Sequence, residues 1–225
     1  RSYPLLMYVY GGPGSQEVLN TWFTSQDLWF AYLTQKGYAI ACVDGRGTGG
    51  RGADFEKTIY KRMGEVELHD QIKAAQALAR LPYIDKARIG IFGWSFGGYM
   101  ACLAATRGGD IWRAAVAVAP VTSWRFYDTI YTERYLSTPQ ENPQGYDLNS
   151  PLTYADDLSS RLLLVHGTAD DNVHFQNSMQ FSGLLVSAGK PFEQMVYADK
   201  NHSIYGGATR LHLFSKITNF LLTNL

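Results

Sequence analysis

Cysteine is scarce in this chain. Its 225 residues hold two, Cys42 in an apolar run and Cys102 in a small-residue helical stretch. Two thiols so placed make no disulfide framework and do not stand at metal-ligand spacing, so they read as buried and unpaired. Charge of one sign is also absent, since 20 Lys and Arg balance 20 Asp and Glu. Nucleic acids and anionic membrane surfaces call for a basic field, and the balance argues against both as partners. No apolar run reaches the length of a membrane span. A Walker sequence, an H-E-x-x-H motif and any Cys/His cluster are missing, and neither a metal nor a cofactor is expected. One G-x-G-x-x-G match exists, Gly45-Arg46-Gly47-Thr48-Gly49-Gly50. A dinucleotide site needs a helix to begin there, whereas Arg51 to Gly64 reads as irregular and mixed in charge. Asp44 and Arg46 are expected to tie that loop down instead.

Apolar residues make up 46% of the chain, enough for one sizeable core, and a single domain over 1–225 is expected. Apolar runs alternate with helical patterns. The strand candidates are Leu5–Tyr10, Tyr38–Val43, Arg88–Phe92, Ala114–Ala119, Leu162–His166 and Phe192–Tyr197. Most are apolar without alternation, as parallel strands covered on both faces are, while the last is mixed and suits a sheet edge. Leu68, Ile72, Ala75 and Ala79 form one helical stripe. Phe181, Leu185 and Ala188 form another, with Gly189 as its stop, and Phe214, Ile217 and Leu221 a third. Together these predict an α/β fold with a doubly wound, mostly parallel sheet. The segment from about 121 to 157 breaks the rhythm. It is long, aromatic and without an obvious strand, as a lid or pocket wall would be. The opening Arg1-Ser2-Tyr3-Pro4 does not read as a signal peptide and runs straight into a strand, so the chain is expected to be a piece of a longer protein.

Gly93-Trp94-Ser95-Phe96-Gly97-Gly98 stands between an apolar run and a small-residue helix. A Ser in G-x-S-x-G at such a junction reads as a nucleophile elbow, in which a tight turn lifts the hydroxyl above the sheet edge. Its worth depends on partners. Ligands of open parallel sheets bind beyond the carboxyl ends of the strands, and four groups follow strands there. Tyr10 leads into Gly11-Gly12-Pro13-Gly14, Ser95 follows the third run, Asp170 the fifth and His202 the sixth. Ser, Asp, His is the chain order of α/β-hydrolases. His202 would take the Ser95 proton and Asp170 would hold its tautomer. Tyr10 and the Phe96 N–H would face the developing oxyanion. Competing assignments stay open at this point. Asp171 is the alternative acid, or a helix N-terminal charge. Tyr10 could be a plain strand-end aromatic. Of the other histidines, His69 and His212 fall in helical patterns, His174 begins a helix and His166 suits a turn-stabilising donor.

The aromatic segment offers Trp124, Phe126, Tyr127, Tyr131 and Tyr135. Such a set serves either as core or as a flat slot for a compact ring. Tyr127 and Tyr131 are four apart, and a helix would put both rings on one face.

Three stretches carry a resemblance: the elbow, the run Trp124-Arg125-Phe126-Tyr127-Asp128-Thr129-Ile130-Tyr131-Thr132-Glu133-Arg134-Tyr135, and His166-Gly167-Thr168-Ala169-Asp170-Asp171-Asn172-Val173-His174-Phe175-Gln176. The chain resembles the prolyl oligopeptidase family over almost its whole length, and within it the dipeptidyl peptidase IV branch. The resemblance implies an α/β-hydrolase fold and a serine exopeptidase that releases N-terminal dipeptides with Pro or Ala second. It gives Ser95, Asp170 and His202 the triad roles and Tyr10 the oxyanion hydroxyl. Val121, Trp124, Tyr127, Tyr131 and Val173 would line a proline slot, and Asn172 would contact a substrate carbonyl. It further implies an upstream β-propeller with a glutamate pair for the substrate amine, first sheet strands that this chain lacks, homodimers, and a periplasmic, secreted or cell-surface setting. Phe96 stands where the family often has Tyr, which leaves a backbone N–H role intact. A tripeptidyl or acylaminoacyl peptidase, a silent binding scaffold and a lipase are the other readings.

Overall fold

The computed structural model describes residues 1–22 and 25–225. In chain order the elements are β1 (Tyr3–Tyr8), α1 (Ser25–Gln35), β2 (Ala39–Cys42), α2 (Ala53–Lys57), α3 (Glu65–Leu78), β3 (Ile84–Trp94) and α4 (Phe96–Arg107), followed by β4 (Ala114–Val118), α5 (Thr129–Leu136), α6 (Pro143–Asp147), β5 (Arg161–Gly167), α7 (Gln176–Ser187), β6 (Glu193–Tyr197) and α8 (Thr209–Asn224). The strands form one six-stranded sheet in the order β2-β1-β3-β4-β5-β6, with every neighbouring pair parallel.

The unbroken apolar runs have a simple cause. Successive side chains leave a strand on opposite faces, and both faces here are covered. Leu5, Met7, Ile89, Ile91, Ala115, Ala117, Leu162 and Leu164 enter one core, which also takes residues of α3, α4 and α7. Leu6, Phe92, Ala114, Val116, Val118, Leu163 and Val165 enter the other, closed by α1 and α8. The mixed β6 is an edge strand. The three helical stripes lie on α3, α7 and α8, and Gly189 ends α7 at φ 65°.

Several expectations shift in detail. β1 ends at Tyr8, so Tyr10 lies beyond the strand; Val9 still donates to Phe92 O at 3.0 Å before the chain turns at Gly11, φ 76°. β3 starts four residues before Arg88, at Ile84. The stretch expected to be irregular holds the short helix α2, which starts after Gly52 in a positive-φ conformation. Cys42, on the edge strand β2, is only half-buried, and neither thiol is in a disulfide. Asp44 and Arg46 do secure the loop after β2. The Asp44 carboxylate accepts from the Glu17 and Val18 N–H groups, and Arg46 pairs with Asp70 at 2.6 Å.

The segment after β4 is helical: a 3-10 turn at Trp124–Phe126, then α5, α6 and a second 3-10 stretch at Pro151–Asp157. Side-chain caps start each piece, with Asp128 accepting from Tyr131 N at 2.8 Å and Asn142 from Gly145 N at 3.2 Å. The segment is tied to the body from two sides. Asn142 donates to Lys61 O at 2.9 Å, and Asn177 of α7 accepts from Thr122 N at 2.9 Å.

Glu67 is the oddity of the core. It is 2% exposed, one carboxylate oxygen accepts the Gly64 N–H at 2.7 Å, and the other has no partner. One turn on, the Gln71 side-chain oxygen is equally unpartnered. Burial pushes the Glu67 carboxyl up to about 8, against the pull of backbone N–H groups. Folded Glu67 therefore keeps a proton that the unfolded chain, near the usual carboxylate value of about 4.3, has released. Its contribution to stability is complete below that lower value and drains away as pH climbs to about 8. Glu67→Gln removes the titration. Compared by chemical denaturation, the variant is expected to gain on the parent protein between pH 5 and 8, with a slope of up to about 1.4 kcal/mol per pH unit. A constant difference across that range contradicts it.

Candidate active site

The β3–α4 junction is built by contact, and it dictates its glycines. A Cβ at Gly97 would fall inside the van der Waals reach of Val9 O, and one at Gly93 would collide with the carbonyl of Gly97. One at Gly98 would come within 2.6 Å of Val118 O. The helix start is thus pressed against β1, β3 and β4. Between the glycines Ser95 takes φ 59° and ψ −116°, a conformation that costs a non-glycine residue energy and is held by its neighbours. Its N–H donates to Val118 O at 2.8 Å, and its own C=O accepts the Tyr99 N–H at 2.9 Å. Ser95 is half-buried. No side chain caps α4, and the first N–H groups of a helix have no partner within it. The Phe96 N–H is one of these, while its ring is buried between Tyr10, 6.1 Å away, and Trp124, 5.6 Å away.

Asp170 lies in the loop after β5 with its side chain wholly buried. One oxygen, Oδ1, accepts the N–H groups of Asn172 at 3.0 Å and Val173 at 2.9 Å. The other, Oδ2, lies 2.7 Å from His202 Nδ1 and 3.2 Å from His166 Nε2. Burial works to raise this carboxyl. Hydrogen bonds from His166, His202 and Val173, with the attraction of His202, outweigh it and hold Asp170 well below the usual carboxylate range. An ionised Asp170 accepts only, so His202 carries its hydrogen on Nδ1 and offers Nε2 as a base. The side chain of His202 is 21% exposed. Its loop is bound to the elbow, because Trp94, next to Ser95, donates its indole N–H to His202 O at 2.9 Å.

Asp171 is exposed and stands five residues before α7, away from the helix-end role considered for it. His174 lies two residues before that helix rather than starting it. His69 and His212 sit on α3 and α8; His212 meets the Tyr197 hydroxyl at 2.8 Å. The described residues contain no group of His, Cys, Asp and Glu that could hold a metal ion.

The aromatics form a continuous wall. Trp124, 2% exposed, packs edge-on to Tyr99 at 5.1 Å and to Tyr127 at 5.8 Å, and stacks on Tyr131 at 6.0 Å. Tyr127 and Tyr131 meet edge to face at 5.3 Å. They are only half-buried, so the wall has an open side. Val121 and Val173 are buried. The Tyr127 hydroxyl donates to Asn172 Oδ1 at 2.7 Å, which leaves the Asn172 NH2 as the end suited to a carbonyl. Burial, then the charge of Glu17 and the proximity of Tyr135, push the Tyr10 hydroxyl up, so it stays protonated and able to donate.

Residues 24–225 match the family model described as the prolyl oligopeptidase family. The chain belongs to that family. Mouse "Prolyl endopeptidase FAP" is 42% identical across 98% of this chain and 29% of its own length. Pig "Dipeptidyl peptidase 4" is 40% identical with the same two coverages. The crystal structure of Porphyromonas gingivalis dipeptidyl peptidase 4 superposes with a TM-score of 0.97 at 52% identity, covering 100% of this chain and 32% of that one. The chain thus spans about a third or less of the relatives it matches. The match, the parallel sheet and the structural likeness together give the α/β-hydrolase fold.

Sequence reasoning passed over two residues that shape the site, Asn177 holding the start of the aromatic segment and Tyr99 behind Trp124. His166 is the turn-stabilising donor expected of it, with Nε2 2.8 Å from Val173 O, and it also lies against the Asp170 carboxylate at 3.2 Å. The elbow generates a direct test. Gly97→Ala forces a methyl group into Val9 O and is expected to cost upwards of about 3 kcal/mol, read as a lower melting temperature or loss of soluble protein.

Proposed function

We propose that this chain is the catalytic domain of a serine exopeptidase that cleaves after proline, or less well alanine, and releases N-terminal dipeptides. The observation that carries the reading is the 2.7 Å contact between Asp170 and His202 in a loop bound through Trp94 to the Ser95 turn. Three residues far apart in the chain serve one proton transfer.

In this reading Ser95 Oγ attacks the carbonyl carbon of the scissile bond and its proton passes to His202 Nε2. The imidazolium is stabilised by Asp170. The carbonyl oxygen, now negative, is met by the Tyr10 hydroxyl and the Phe96 N–H. Donors so placed each contribute roughly 10²–10³ in rate. The C–N bond breaks, His202 protonates the departing amine, and an acyl-enzyme on Ser95 remains. Water then attacks, gives a proton to His202, and the Ser95 oxygen leaves and takes that proton back. Val121, Trp124, Tyr127, Tyr131 and Val173 hold the proline ring, and Asn172 binds a substrate carbonyl.

The relatives are about three times as long as this chain, and we assign recognition of the free amino terminus to a β-propeller elsewhere in the full-length protein. Remote binding of that kind offsets part of the barrier at the reacting bond, so the domain alone is expected to turn over slowly. Association as a homodimer belongs to the same reading.

Three measurements test it. A fluorophosphonate is expected to label the full-length protein at Ser95, and Ser95→Ala to abolish labelling; an unlabelled protein points to a binding scaffold. Gly-Pro reporters are expected to turn over faster than Ala-Ala-Pro or acetyl-Ala ones, and the reverse order rejects dipeptidyl release. Asp170→Asn is expected to lower kcat by about 10⁴, and Tyr10→Phe by about 10²–10³, with little change in KM.

A further inference from the structure

His166, near the end of β5, is completely buried and has no part in the steps above. Its ring makes three polar contacts. Nε2 lies 2.8 Å from Val173 O and 3.2 Å from Asp170 Oδ2, and Nδ1 lies 2.7 Å from Ser178 Oγ. A carbonyl and a carboxylate only accept, so Nε2 must carry the hydrogen. In the neutral ring Nδ1 then accepts a hydrogen bond from the Ser178 hydroxyl, and both ring nitrogens are satisfied. The edge of Phe175, at 5.6 Å, closes the site.

We infer that His166 is a positioning residue for the proposed triad: its Nε2–H shares Asp170 Oδ2 with the His202 Nδ1–H and so tempers the pull of Asp170 on the proton of His202. The inference rests on the peptidase reading for its kinetic consequence, though not for its geometry. Its physical basis is competition at one oxygen. A neutral donor spreads the carboxylate charge without cancelling it, which weakens the bond that the same oxygen makes to the second imidazole. The Nε2–H divides between Val173 O at 2.8 Å and Oδ2 at 3.2 Å, while Oδ1 is held by two backbone N–H groups and Oδ2 by the His202 ring at 2.7 Å. Among the described residues the titratable groups facing Asp170 are His166 from β5, His202 from the loop after β6, and Tyr127 from the aromatic segment.

Removing the donor concentrates charge on Oδ2 and favours the His202 imidazolium. His166→Phe keeps the ring volume without the donor, and His166→Gln keeps an N–H that reaches the Nε2 position. In the full-length protein, His166→Phe is expected to move the acid limb of the kcat/KM profile upward by about half a pH unit or more, a differential interaction of under one decade. His166→Gln is expected to hold it near the parent position. Proton NMR gives a readout independent of turnover: the His202 Nδ1–H resonance is expected further downfield in His166→Phe, as the remaining hydrogen bond shortens. Should His166→Phe fail to unfold cooperatively, His166→Asn takes its place, because its amide meets Ser178 but is too short to reach Asp170. A folded donor-free variant with both limb and resonance unmoved overturns the inference, as does a downward shift, or a glutamine variant displaced as far. If the parent protein is unlabelled by fluorophosphonate, the peptidase reading fails while the NMR comparison still decides this one.

Discussion

The backbone contact between the start of α4 and the neighbouring strands governs this molecule. Gly97 lies against Val9, Gly93 against Gly97, and Gly98 against Val118, with no room for a single added carbon. That approach sets the turn and holds Ser95 at positive φ at the start of α4. It also allows an almost wholly buried helix of small residues to lie close on the sheet. The position of Ser95 is therefore a product of core packing, and its local energy cost is met by burial around it.

A second constraint acts through charge. Asp170 is buried, yet three hydrogen bonds and the close His166 ring nitrogen meet its two oxygens. A buried carboxylate without such partners would take up a proton and could no longer orient an imidazole. Glu67 is the contrast within the same protein: equally buried, it receives one N–H from Gly64 at its side chain and is pushed toward the neutral form. The number of donors that meet a carboxyl, more than its depth, decides its charge here.

The aromatic wall depends on both. Trp124 is fixed from behind by Phe96 and Tyr99 of α4, and Tyr99 donates to Asn149 O at 2.7 Å, so the helix that follows Ser95 also braces the wall. On the other side the Tyr127 hydroxyl holds Asn172, whose N–H bonds to Asp170. Two hydrogen bonds thus join the aromatic wall to Asp170.

Much of this was legible in the chain itself. Continuous apolar runs signal strands covered on both faces, and all six candidates became strands of one parallel sheet. The elbow glycines and the order Ser95, Asp170, His202 marked the chemistry, since small residues and that order are what an exposed serine at a strand–helix turn needs. The choice of Asp170 over Asp171 was open, for adjacent residues of one loop differ only in where their side chains point. Whether Trp124, Tyr127 and Tyr131 were core or wall was open too, since the same rings serve either use. His166 and Glu67 meet partners close by in the chain, and it is their complete burial that the local pattern did not show. Local pattern, fixed by backbone period and residue size, determined the strands, the helices and the list of reactive groups. Which of those groups touch, and which carry charge, was decided only when folding brought separate loops together and removed water from between them.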